Sequence, residues 1–140
     1  MVLKLRIRIE RSDGKYSVVY EAIANSGFSG KKPEILVPLK LIESFKLREL
    51  QEPTPASKIS GSGTVIPLIR YIDSAKIYVI EEDRVKGPIT ADVLIAPKAK
   101  YILLNDKLLG MLEIVIIDPA DGLWCFRDEI GKRVRKGVGY

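Results

Sequence analysis

From Leu3 to Glu10 apolar and polar residues alternate one for one, with Leu3, Leu5, Ile7 and Ile9 on one side and Lys4, Arg6, Arg8 and Glu10 on the other. A period of two is that of a β-strand with one buried face. Asp13-Gly14 supplies residues that tolerate the positive φ of a tight turn, and Tyr16 to Ala24 predicts the returning strand of a hairpin. Asn25-Ser26-Gly27-Phe28-Ser29-Gly30 is small and polar, hence a loop, and Ile35-Leu36-Val37 is a brief apolar strand. Pro38 then opens a short helix through Leu41, Ile42 and Phe45, since a missing N–H costs nothing in a first helical turn.

Gln51 to Ser57 is rich in turn formers. Lys58 to Ile66 has flexible residues at its centre (Ser60-Gly61-Ser62-Gly63) and β-formers at its rims, which predicts a mobile hairpin. The strands Pro67 to Ile72, Lys76 to Ile80 and Ile89 to Ala96 follow, broken by Asp73-Ser74 and by Lys86-Gly87-Pro88. Leu108, Leu109 and Leu112 give helical spacing between Asp106 and Ile114, and a strand from Val115 to Ile117 turns at Asp118-Pro119-Ala120-Asp121-Gly122 into Leu123-Trp124-Cys125-Phe126. Many short strands and one or two short helices predict an all-β or mostly β chain.

Composition narrows the chemistry. A length of 140 residues with 46% hydrophobic content fits one core. There is no histidine, which removes imidazole from any catalytic or metal-binding role, and one cysteine, Cys125, which excludes an intrachain disulfide framework. Lacking an activating base, Cys125 between Trp124 and Phe126 reads as a strand residue and not a nucleophile. Asp118 and Asp121 read as turn residues and not as a calcium or catalytic pair. No metal or other cofactor is expected.

The N-terminus interrupts its apolar residues with charge at once, and no apolar run is long enough to span a bilayer, so a cytoplasmic protein without a membrane partner is expected. Abundant Ile, Val, Lys and Glu beside a single Gln matches the bias of proteins from hot environments. The net charge of +5 is spread along the chain except in Lys132-Arg133-Val134-Arg135-Lys136, which reads as a solvated basic end.

The order of these parts resembles the retropepsin-like aspartic proteases, over about Leu3 to Phe126. Ala24-Asn25-Ser26-Gly27-Phe28-Ser29-Gly30 is similar to that family's catalytic loop, in which an aspartate stands where this chain has Asn25; Lys58 to Ile66 is similar to its flap. Ala91-Asp92-Val93-Leu94-Ile95-Ala96-Pro97 followed by Tyr101-Ile102-Leu103-Leu104-Asn105-Asp106 resembles its second half, with Asn105 at a customary glycine. There, asparagine would serve as a residue that enters the left-handed region readily.

The resemblance implies a closed β-barrel monomer in residues 1–128, a basic tail in 129–140, and a homodimer that shares one active site. It implies Asn25, Ser26 and Gly27 at the catalytic position, and Phe28, Ser29, Ile59, Ser60, Gly61, Ser62, Gly63 and Thr64 around an extended peptide or protein substrate. In that family two carboxylates share a proton and activate a water, and a carboxamide cannot exchange the proton, so the chain as written is expected to be inactive. Asn25 is then either an exchange for aspartate, by design included, or the mark of a natural pseudoprotease that binds peptides without cutting them. A further reading, a binding module using the basic tail, would take nucleic acid; nucleic acid is otherwise not an expected partner. Val2 to Leu5 and the closing strand are the expected dimer contacts.

Overall fold

The computed structural model describes residues 2–24 and 27–139 and is mostly β. The first hairpin is as its pattern demands: β1 (Lys4–Arg11) pairs antiparallel with β2 (Ser17–Ala24), and Leu3, Leu5, Ile7 and Ile9 are buried. β3 (Glu34–Pro38) runs into α1 (Leu39–Ile42) and 3-10 turns at Glu43–Phe45 and Leu47–Glu49. β4 (Thr54–Ile59), β5 (Val65–Ile80) and β6 (Val85–Ala96) form a long antiparallel meander, followed by β7 (Leu103–Leu104) and α2 (Asp106–Met111).

These seven strands lie in the order β1-β2-β7-β3-β6-β5-β4, and β1 also pairs with β5, which turns the sheet back on itself as a partly closed ring. β7 is inserted between β2, to which it is parallel, and β3, to which it is antiparallel, while β3 is parallel to β6. Inside the ring sits one apolar core, from Ile7 and Ile9 through Val37, Ile77 and Val93 to Leu104 and Leu108. A second sheet, in the order β10-β9-β8, is built from β8 (Ile114–Asp118), β9 (Leu123–Phe126) and β10 (Arg135–Lys136).

Several expectations need correction. Thr54 to Ser57 is strand and not turn, an edge strand whose mostly exposed side chains carry no apolar signal and whose Pro55 is tolerated there. Asp73-Ser74 does not end a strand: β5 continues through a bulge between Tyr71 and Ala75 in which Asp73 has φ 48°. β6 begins at Val85, ahead of the expected break at Gly87-Pro88, and α2 stops at Met111, not Ile114.

The basic segment is solvated only in part: Lys132, Arg133, Val134 and Lys136 are exposed, but Arg135 is not. Arg135 is 5% exposed, and its guanidinium bonds Glu129 at 2.7 and 2.8 Å and Asp83 at 2.8 Å, 5.0 Å from the Phe126 ring centre. Arg133 pairs with Asp83 at 2.7 Å. Nor is the start of β1 a free edge. The Lys4 carbonyl accepts the Val138 N–H at 2.9 Å, and a side-chain carbon on Gly137 would stand 2.5 Å from Leu3 Cδ1, so the two ends of the chain close on each other.

Candidate functional site

The loop that follows β2 is held by α2. Ala24, where β2 ends, donates its N–H to Leu3 and lies opposite Leu104 of β7. Asn25 and Ser26, expected as catalytic positions, lie outside the described residues. From Gly27 the chain bends back, and α2 fixes it at two points: Asp106 N–H donates to the Phe28 carbonyl at 3.0 Å, and Asp106 Oδ1 accepts from Gly30 N–H at 3.2 Å. A Cβ on Gly30 would meet the Glu34 carboxylate, which would have to move from its partners, so the space beside it suits glycine.

Asn105 stands beside them and does not play the part expected of it. Its φ of -78° is ordinary extended backbone, and no left-handed turn occurs there. It is the N-cap of α2: fully buried, its Oδ1 accepts from Leu108 N–H and from Glu34 N–H, both at 2.9 Å, and its Nδ2 donates to the Lys32 carbonyl at 2.8 Å. One carboxamide thus ties α2 to the strand entering the core from the candidate loop.

Opposite the loop is the hairpin of β4 and β5. Ser60 N–H donates to Thr64 O at 2.8 Å and Gly63 N–H to Ser60 O at 2.9 Å; Gly63 takes φ +85°, and a chain of hydroxyl contacts runs Ser60, Ser62, Thr64. Ile59, Gly61 and Ser62 are exposed and the tip touches nothing around Gly61 or Gly63. The base of the hairpin is anchored. Lys58 Nζ donates to Ser29 O at 3.1 Å, pairs with Glu34 at 2.7 Å and lies 5.5 Å from the centre of the Phe28 ring. Loop residues 28 and 29 and the base of the hairpin are therefore in contact, whereas the tip residues 60–64 reach no other expected site residue among those described.

Between the hairpin and the segment Pro97–Tyr101 lies an apolar groove of about 550 Å³, with Leu36, Ile66 and Leu103 among its walls. Phe28 packs nearby against the small cluster of Leu68, Leu94 and Ala96 on the same face of the sheet. Further along this face two carboxylates are buried among cations. Glu34 pairs with Lys58 and with Arg70 at 2.6 Å; Asp92 pairs with Arg70 at 2.6 Å and Lys32 at 2.9 Å, and accepts Asp73 N–H at 2.8 Å. Burial pushes the Asp92 carboxyl up, but the Asp73 N–H, Lys32 and Arg70 outweigh it and hold it below the usual range.

Sequence reasoning missed Asn105 as a cap, the Glu34–Arg70–Asp92 cluster and the 97–101 wall. Two signals were there: Asn105-Asp106 immediately precedes an apolar helical pattern, and Glu34 and Asp92 each sit in an otherwise apolar run, where a charge survives only if paired. Cys125 is buried and burial raises its thiol, as suits a core residue and not a nucleophile. Among the described residues no group of side chains has the make-up of a metal site, and no helix is long and apolar enough to cross a membrane. The chain matches no family model and no curated protein sequence.

Proposed function

We propose that this chain is one subunit of a homodimeric aspartic endopeptidase of retropepsin type, kept inert by Asn25. The reading is carried by one observation: the loop after β2, the hairpin with its anchored base and free tip, and the apolar groove lie together on one face of the ring. The insertion of β7 between β2 and β3 supports it further, because it leaves β2, up to its end at Ala24, held by a strand on both sides.

In the dimer each subunit supplies one residue 25. With aspartate in both, the two carboxyls are too close to ionise together, so they hold one proton between them. The ionised member takes a proton from the attacking water and the protonated member donates to the peptide carbonyl. Asparagine offers a donor and an acceptor in the same place but releases and takes up no proton, so it can hold the water without activating it. The substrate lies extended, with apolar side chains in the groove beside Ile66, and the Ser60–Thr64 tip closes over it.

The test is Asn25→Asp assayed on fluorogenic peptides between about pH 3 and 7, with cleavage expected to rise at least about 10²-fold over the parent chain, to favour acid and to be blocked by pepstatin. A well-folded, dimeric Asn25→Asp protein that cuts nothing in that range overturns the reading. So does a chain that sediments as a monomer at every concentration. Asn25 itself favours the second reading, a pseudoprotease that binds peptides; under it, the parent chain retains labelled peptides while the Asn25→Asp variant gains no cleavage.

A further inference from the structure

Resting on that reading of the cleft, we propose that it selects extended peptides in which an apolar residue is flanked by aspartate or glutamate. Strand register puts the relevant side chains on one surface. Arg70 lies opposite Leu94, Leu36 is aligned with Leu94, and Glu34 with Asp92, so the charged cluster and the apolar groove follow one another along the same face. An extended chain crossing it meets the cluster of Lys32, Lys58 and Arg70 at one end and the 97–101 wall at the other.

The charge along this track is one-sided. Two lysines, Lys98 and Lys100, line the apolar groove and no carboxylate does. At the other end Lys31, Lys32, Lys58 and Arg70 stand about Glu34 and Asp92, both saturated by the pairs already described, and the exposed Asp73 pairs with Lys32 at 3.2 Å, so cations still outnumber carboxylates. Lys31, Lys98 and Lys100 are exposed and have no carboxylate partner among the described residues. Lys98 and Lys100 thus border the apolar slot and Lys31 stands at the charged end of the track, where Glu34 and Asp92 are buried. A basic peptide would meet net repulsion on entry, and an acidic one would find unpaired ammonium groups on both sides of its apolar residue. The walls are mainly aliphatic, with Tyr101 the one aromatic side chain of the groove, which offers no stacking row for bases and favours peptide over single-stranded nucleic acid.

The test uses the chain as it stands. Fluorescence anisotropy compares two labelled peptides with the same Leu-Phe centre, one flanked by Glu and one by Lys, beside a labelled oligothymidine. The acidic peptide should bind about five- to tenfold tighter than the basic one, with the gap shrinking as salt rises. Lys98→Glu/Lys100→Glu, at exposed positions, should narrow or reverse the preference, and Lys98→Arg/Lys100→Arg should keep it. A lost fold would remove both affinities alike, whereas a changed preference reports on charge alone. Equal affinity for the two peptides, binding of neither, or tighter binding of the oligothymidine overturns the proposal. Cleavage by Asn25→Asp without charge preference sinks this proposal and leaves the endopeptidase standing; a charge preference without cleavage does the reverse.

Discussion

Asn105 carries more of the site than its place in the sequence suggests. Its one side chain caps α2, accepts the Glu34 N–H and donates to the Lys32 carbonyl, all without exposure to water. Asn105→Ala removes a cap and leaves buried backbone groups unpaired, so a loss of about 2–4 kcal/mol in urea unfolding is expected. Asn105→Asp should also destabilise, since a carboxylate cannot donate to Lys32 O and would face Glu34. If either variant unfolds at the parent's urea concentration, the site does not hang on this residue. Asparagine was visible in the sequence, but the glycine expected there by analogy hid its capping role. That Glu34 and Asp92 need partners shows in their apolar surroundings, but which partners they take does not, because Glu34 and Arg70 are 36 residues apart and meet only after the strands have aligned.

At the scale of elements, legibility followed apolar pattern. β1 was plain because one face of it is buried by alternation, and β2 because the Asp13-Gly14 turn sends a run of β-forming residues back along it; β4 was not, since an edge strand with mostly exposed side chains leaves no period to read. The closing segment misled in the opposite sense: a run of charge looked solvated, yet Arg135 is neutralised by Asp83 and Glu129 and packed on Phe126. The fit of that segment against β1 is testable at Gly137. Gly137→Ala would drive a methyl into Leu3 and the Lys4 carbonyl, 2.5 and 2.9 Å away. The expected result is a destabilisation of about 1–3 kcal/mol with faster proteolysis after Arg133 or Arg135. An unchanged melting temperature and digestion pattern would show that the ends are not closely joined.

Over the whole molecule, carboxylates held by arginines set the acid limit of the fold. Hydrogen bonds from Arg11 hold Asp13 at about 2 against an ordinary 3.8, and those from Arg135 hold Glu129 at about 2 against 4.5. Depressed folded values mean that the unfolded chain binds more protons, so this stabilisation is complete above the unfolded values and is lost as pH falls toward about 2. Melting temperature should stay nearly level from neutral pH to about 5 and fall steeply below about 4. A decline beginning near neutrality would mean that these pairs do not govern the transition. The acid range in which a proton-sharing dyad works lies above that limit.

The mostly β class was legible in the pattern and a closed barrel was expected from the resemblance, but the pairings that partly close the ring were not legible, because they join residues far apart in the chain. β7 sits between β2 and β3, and β1 pairs with β5. Until Leu103 and Leu104 have been made, the edges of Ile23 and Leu36 have nothing between them, and a nascent or truncated chain ending earlier presents open strand edges. The ring is thereby a device of timing as much as of shape. A ring closed by such long-range pairings is expected to fold in about the millisecond-to-second range of β-rich topologies, and β7, once paired, covers edges that would otherwise be open to a neighbouring chain.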